Sequence, residues 1–154
     1  MATQLVAFTL DEQQYALPLH SVRRVTRSVE ITALAKAPTI VLGIIDLQGE
    51  MVPVISMRQR LGFSELDPSL TDQMIIAETA KRSVALLVNS VTGVIERKPE
   101  EITAAKQIVP EAKYVEGMAR LGDGILFIYN LDNFLSAQEQ RQLGRLLARA
   151  VSQT

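Results

Sequence analysis

The residues that could do chemistry in this chain are few. His20 is the single histidine, there is no cysteine, and the adjacent carboxylates are Asp11-Glu12 and Glu100-Glu101. Proton transfer, nucleophilic attack and metal binding would all have to draw on these groups and on serines. None has suitable neighbours. No acid or second ligand lies within five residues of His20, so neither a dyad nor a metal site is marked around it. Both carboxylate pairs sit in polar, charged stretches that read as solvated turns. Ser21, Ser90 and Ser136 lack the glycine-flanked elbow of a hydrolase nucleophile. Gly122-Asp123-Gly124 is followed by a strand pattern, with no Lys-Ser/Thr and no helix, so it reads as a hairpin turn and not a phosphate loop. No catalytic residue, metal ligand or cofactor is expected.

The surrounding pattern is that of short strands. Leu5 to Leu10, a polar turn at Asp11 to Gln14, and Tyr15 to Leu17 predict a hairpin. Pro18 suits the first turn of a short helix, and Leu19, Val22 and Val25 follow at helical or mixed spacing. Ile40 to Leu47 is nearly all apolar, as in a strand buried on both faces. Gln48-Gly49-Glu50 turns the chain back through Met51 to Ile55, where Pro53 predicts an edge or a bulge. Arg58 to Leu61 predicts a helical turn stopped by Gly62, and Ser64 to Asp72 a linker. Strands are expected again from Met74, around a turn at Ala80-Lys81-Arg82, and a long surface connection over Lys98 to Lys113. Ser136 and Glu139 form a capping box that opens a terminal helix. Leu143, Leu146, Leu147, Ala150 and Val151 lie on one face of it; Arg141, Arg145 and Arg149 recur every four residues as a solvated face or a basic docking stripe.

Two copies of one pattern underlie these elements. Gly43 to Leu61 matches Gly117 to Leu135 at an offset of 74, and Val6 to Val25 matches Ile75 to Val94 at an offset of 69. A repeat of this length predicts two similar subdomains packed together, at about 15–70 and 75–135, with the N-terminal strand and C-terminal helix across them. Hydrophobic residues are 47% of the 154, and aromatics only 5%, so the core must be largely aliphatic. The residues alone predict an all-β fold of barrels or sandwiches. Sixteen basic and seventeen acidic residues balance to a net charge of -1, which supplies no field for a nucleic acid. The chain enters a strand pattern directly after Met1-Ala2-Thr3-Gln4, and its apolar runs fall far short of the ~20 residues of a membrane helix. A cytoplasmic protein without membrane insertion is expected.

Across almost its whole length the sequence resembles the CheW family of bacterial chemosensory adaptors. The carrying residues are Phe8-x-Leu10, Tyr15-Ala16-Leu17-Pro18, Val22-x-x-Val25 and Pro38. They continue as Gly43-Ile44-Ile45-Asp46-Leu47-Gln48-Gly49, Val52-Pro53-Val54-Ile55 and Arg58-x-Arg60-Leu61-Gly62. Leu87-Val88-Asn89-x-Val91-x-x-Val94, Gly117 and Leu131 complete the set. The resemblance implies two SH3-like five-stranded barrels sharing a hydrophobic core, and no enzymatic activity. It implies coupling of chemoreceptor signalling tips to the regulatory domain of the histidine kinase CheA. A groove involving Leu19, Val22, Arg24, Gln48, Val88, Asn89 and Val91 would take the receptor's helical tip, although Leu19 and the valines taken singly read more readily as core packing. The barrel ends would meet the kinase, and could also meet a second copy of the chain.

Three positions depart from the family's usual residues. Arg24 stands where a glutamate is usual, Gln48 where an arginine is, and Asn89 where an aspartate is. A re-paired contact is expected, with Arg24 bonded to Asp46 or Glu50, alongside the alternative that Arg24 and Gln48 are simply solvated. These departures suit a specialised adaptor, such as one in a pilus-linked or other non-flagellar pathway. The competing function is a barrel-based regulator that binds a small ligand or nucleic acid, which the scarcity of aromatics and the balanced charge disfavour.

Overall fold

A computed structural model describes residues 2–63, 71–104 and 115–152. Thr3–Leu10 (β1) and Gln13–Pro18 (β2) form the expected opening hairpin. Asp11 and Glu12 both have positive φ, 49° and 70°, the turn geometry that matches the right-handed twist of the flanking strands. After a 3-10 turn at Leu19–Ser21 the chain runs as a strand over Val22–Arg27 (β3), so the mixed spacing of Leu19, Val22 and Val25 resolves as turn plus strand. Val41–Leu47 (β4) and Glu50–Ile55 (β5) lead to the short helix Met57–Arg60 (α1). Gln73–Glu78 (β6), Ser83–Val88 (β7), Ser90–Arg97 (β8), Thr103–Ala104 (β9), Val115–Leu121 (β10) and Gly124–Tyr129 (β11) follow. The terminal helix is Ala137–Ser152 (α2). Most of the expected linker and of the Lys98 to Lys113 connection lies outside the described residues.

The strands make two sheets, ordered β8-β1-β2-β11-β10-β9 and β3-β6-β7-β5-β4. The repeat maps one onto the other: β4 and β5 fall on β10 and β11 residue for residue, and β3, β6 and β7 correspond to β8, β1 and β2. Each sheet therefore takes its central hairpin from the other copy. The second sheet is drawn from residues 22–88 and the first from the chain on either side. The expected subdomain bounds of about 15–70 and 75–135 therefore differ from the spans of the two sheets. The two hairpins carry the same apolar pattern, so the sequence does not show which copy's strands each one joins.

Both sheets close on themselves by the same device. Beyond β3 the chain returns to the opposite edge, where the Thr32 N–H donates to the Ile44 carbonyl (2.9 Å) and the Ile44 N–H to that of Thr32 (2.8 Å). Beyond β8, β9 pairs with β10, with Thr103 opposite Met118. A glycine sits at each crossing. A Cβ on Gly43 would lie 2.3 Å from the Thr32 carbonyl oxygen; one on Gly117 would lie 2.9 Å from that of Thr103. The repeated glycines let the closing segments approach.

Three apolar clusters result. Ile45, Val52, Val54, Met74, Ile76 and Ala85 fill one barrel, and Leu5, Ala7, Ala16, Leu126 and Ile128 the other. Between them lies a shared core to which both sheets contribute, including Phe8, Tyr15, Leu17, Ile75, Leu86, Val88 and Tyr129. Successive residues of β6 alternate between barrel and shared core: Met74 and Ile76 inward, Ile75 and Ala77 outward. Burial on both faces explains the unbroken apolar runs. Phe8, Tyr15, Phe127, Tyr129 and Phe134 form one ring-to-ring network there, with centroids 5.4–6.2 Å apart. Pro53 is not on an edge strand, since β5 lies between β7 and β4. Its missing N–H is tolerated because the ladder with β7 begins only at Val54.

The capping box forms as expected. The Ser136 hydroxyl accepts from the Glu139 N–H (3.1 Å), and the Glu139 carboxylate accepts from the Ser136 N–H (2.8 Å). Leu143 is fully buried in the shared core and Leu147 packs beside it, while Arg141 and Arg145 are exposed.

Candidate functional site

The structure separates the expected partner-binding residues into two places on either face of β3. The first is the seam between the barrels. Val88 is a core residue, only 1% exposed, and Val22 and Val91 are half-buried against the same core. Val22 and Val91 are repeat equivalents. Val22 and Val25 pair with Ala77 and Ile75, both shared-core residues, so they lie on the seam side of β3; Val25 is 36% exposed there. Leu19 is half-buried in the 3-10 turn. The seam thus carries partly exposed valines over packed core residues.

Asn89 is exposed at the corner between β7 and β8. Its backbone N–H donates to the Thr9 carbonyl (3.0 Å), and its side-chain oxygen accepts from the Asp11 N–H (2.8 Å). The position needs an acceptor to cap the β1–β2 turn. Asparagine supplies one as an aspartate would, so this departure is structurally neutral.

The second place is the open end of the barrel built on β3. Arg24 pairs with Ile76, whose side chain faces that barrel's interior, and Arg23, Arg24, Leu47, Gln48 and Glu50 line a shallow concavity. The register slips between Val22 and Arg24, which bulges the strand at Arg23. The expected pairing of Arg24 with Asp46 or Glu50 does not form. Arg23 takes Glu50 (3.2 Å) and Glu78 (3.5 Å), and also donates to the Ser83 hydroxyl (2.9 Å). Asp46 accepts from the Gly49 N–H (2.7 Å), closing a turn in which Gln48 and Gly49 both have positive φ, 53° and 93°. Arg24 is exposed and makes no ion pair among the described residues. The bulge that brings Arg23 to the acids has no signature in the sequence, so Arg23 was not among the expected residues.

Two further arginines, both in the Arg58-x-Arg60-Leu61-Gly62 motif, tie elements together. The Arg58 guanidinium makes a two-pronged contact with the Asp11 carboxylate (Nη1 to Oδ1, 2.8 Å) and lies 5.9 Å from the Phe63 ring centre. It ties α1 to the first hairpin of the other sheet. Arg60 Nη2 reaches both Glu139 oxygens, at 2.6 and 2.8 Å, and so ties α1 to α2. Arg82 adds a bond from its Nε to the Gln140 side-chain oxygen (3.0 Å).

These clamps set the acid response. The hydrogen bond from Arg58 holds the Asp11 carboxyl below the usual range; desolvation opposes it and the Arg58 charge adds to it. At Glu139 burial works to raise the pKa, but hydrogen bonds from Arg60 and the Ser136 backbone outweigh it and the net shift is downward. Ordinary Asp and Glu titrate near ~3.9 and ~4.3. A carboxyl depressed by folding contributes stability in full above its unfolded value and loses it as the pH falls through the folded one. Stability is expected to be flat above about pH 5 and to fall below about pH 4. Asp11→Asn with Glu139→Gln should flatten that limb in denaturant titrations across pH, and an unchanged limb would exclude the clamps as its source.

Folding brings His20 close to acids that the sequence did not place beside it. His20, Ser21, Glu78, Thr79 and Asp132 line one small open concavity. Its carboxylates are already engaged, Asp132 with the Ala80 N–H (2.8 Å) and Glu78 with the Ser83 hydroxyl (2.7 Å) and Arg23. The described residues contain no metal-binding group of three or more His, Cys, Asp or Glu, and no helix long and apolar enough to cross a membrane.

Comparison with known proteins gives one result. The model of the CheW-like domain matches residues 4–139. A probable chemotaxis protein CheW of Rhizobium etli is 27% identical over 138 residues, covering 88% of this chain and 89% of that protein. The chemotaxis protein CheW of Thermotoga maritima is 29% identical over 126 residues, 82% of either chain. The crystal structure of the scaffolding protein TtCheW from Thermoanaerobacter tengcongensis superposes with a TM-score of 0.82 at 28% identity, covering 90% of this chain and 96% of that one. The closed sheets, the shared core and the family match converge: this chain belongs to the CheW-like domain family, whose members are non-enzymatic scaffolds and adaptors.

Proposed function

We infer that this protein couples chemoreceptor signalling tips to a CheA-type histidine kinase, holding both without transforming either. The observation that supports this most is the pair of distinct surfaces on two barrels that share one core. The seam, with the partly exposed Val22, Val25 and Val91 along it, offers an apolar strip of the kind an amphipathic helix packs against. The charged barrel end, with Arg24, Gln48 and Glu50, offers a shallow polar concavity that suits a polar protein surface. The surfaces lie on opposite faces of β3, so both can be filled at once. A dedicated receptor and kinase fit the altered charges at Arg24 and Gln48.

Titration against the regulatory domain of the kinase and a receptor cytoplasmic fragment from the same genome tests this. Saturable binding to each, with neither displacing the other, is the expected result. Failure to bind either, with salt-sensitive binding of an oligonucleotide instead, would replace it with a barrel-based nucleic-acid regulator.

A further inference from the structure

The barrel built on β8 carries a concavity of about 580 Å³, against about 300 Å³ for the one beside Arg24. Thr103 lies opposite Met118 and Arg120 opposite Ile125, so these four residues share one face of the β9–β10–β11 sheet. All four line the concavity, together with Asp123 at the β10–β11 turn. Ile125 is 47% exposed, a large apolar side chain left in water.

The charges around this concavity divide into spent and unspent. Arg97 donates to the Arg120 carbonyl from Nε (3.1 Å) and Nη2 (3.0 Å), and Glu101 accepts from the Lys98 N–H (2.8 Å). The Arg120 guanidinium and the Asp123 carboxylate are exposed and pair neither with each other nor with any other described residue. The internal repeat supplies the reason. Arg120 stands where the other barrel has Asp46, whose carboxylate accepts from the Gly49 N–H and closes its own turn. A guanidinium has no acceptor and cannot do the same. Asp123 stands where the other barrel has Gly49 itself. One cation and one anion are thereby left unused beside an apolar strip.

We propose that this concavity binds a free aliphatic amino acid. Arg120 pairs with its carboxylate, with the Thr103 hydroxyl as a second donor; Asp123 pairs with its ammonium; Met118 and Ile125 pack against its side chain. The two unused charges select a zwitterion, because a simple anion would meet Asp123 and a simple cation Arg120. The lining holds no aromatic ring, which suits an aliphatic side chain, and the volume falls in the range of small-molecule sites. The site uses none of the residues assigned to the receptor or the kinase, so it stands or falls independently of the coupling function.

Isothermal titration of wild type, Arg120→Gln and Asp123→Asn with leucine, N-acetylleucine and leucinamide tests the assignment. Wild type should bind leucine saturably at one site, and each blocked form about fivefold or more weakly, because each lacks one of the two charges. Arg120→Gln should weaken leucine by about the same factor without weakening leucinamide, which has no carboxylate to lose. Asp123→Asn should weaken leucine without weakening N-acetylleucine, which has no ammonium. Both residues are exposed, so the variants should melt like wild type. Leucine that does not saturate wild type, a blocked form that binds as tightly as leucine, or variants that bind leucine like wild type would each overturn the proposal.

Discussion

Gly43→Ala is expected to destabilise the fold by about 2–5 kcal/mol, from roughly 1–3 for overpacking and the rest for disturbed backbone bonds. The added methyl would sit 2.3 Å from a backbone oxygen, a separation that no side-chain rotation relieves. Thr32 cannot retreat freely, because its N–H and carbonyl are both bonded to Ile44. The strain must therefore open the closure of the barrel or bend β4. Gly117→Ala meets the equivalent contact at 2.9 Å, with the Ile102 side chain at 3.0 Å, and should cost less. Chemical denaturation of the two variants checks the order as well as the size. Equal and negligible losses would mean that the glycines are not there for the crossing.

Phe8→Ala is expected to cost about 3–5 kcal/mol and to lower the melting temperature by roughly 10 °C. Phe8 is fully buried in the shared core and stacks on Tyr15 at 5.8 Å. The more telling outcome is the form of the transition. Each sheet has its central hairpin supplied by the other repeat copy, and the shared core draws on both. Removing a shared-core side chain should therefore lower the protection of amides in β6 and β7 as much as in β1 and β2, in one cooperative step. A variant in which only the sheet containing β1 loses protection in hydrogen exchange would show that the barrels are independent units.

Much of this architecture is visible in the sequence because it rests on local signals. The β1–β2 and β10–β11 turns, the Pro18 3-10 turn and the Ser136–Glu139 capping box each depend on a few adjacent residues with fixed backbone preferences. The repeat made the duplicated strands legible as well. Strand exchange was not legible, because both hairpins present the same apolar alternation to any neighbour. The barrel-end pairing was misread for a related reason. The family resemblance suggested Arg24 beside Asp46 or Glu50, with a solvated Arg24 as the alternative; a one-residue bulge hands the acid to Arg23 and leaves Arg24 exposed. Likewise, Arg58 and Arg60 were recognisable as a motif, yet their partners Asp11 and Glu139 lie 47 and 79 residues away. Of the aliphatic candidates, Val88 proves to be a core residue, whereas Val22 and Val91 hold the rim.

The proposed coupling function requires the seam and the barrel end to be occupied together. Co-sedimentation of the kinase with receptor-bearing membranes, with and without this protein, measures that occupancy directly. The kinase is expected to stay in the supernatant with either component alone and to move to the membrane fraction when this protein is added. A kinase whose distribution does not respond to the protein, at concentrations that saturate each separate binding, would contradict it.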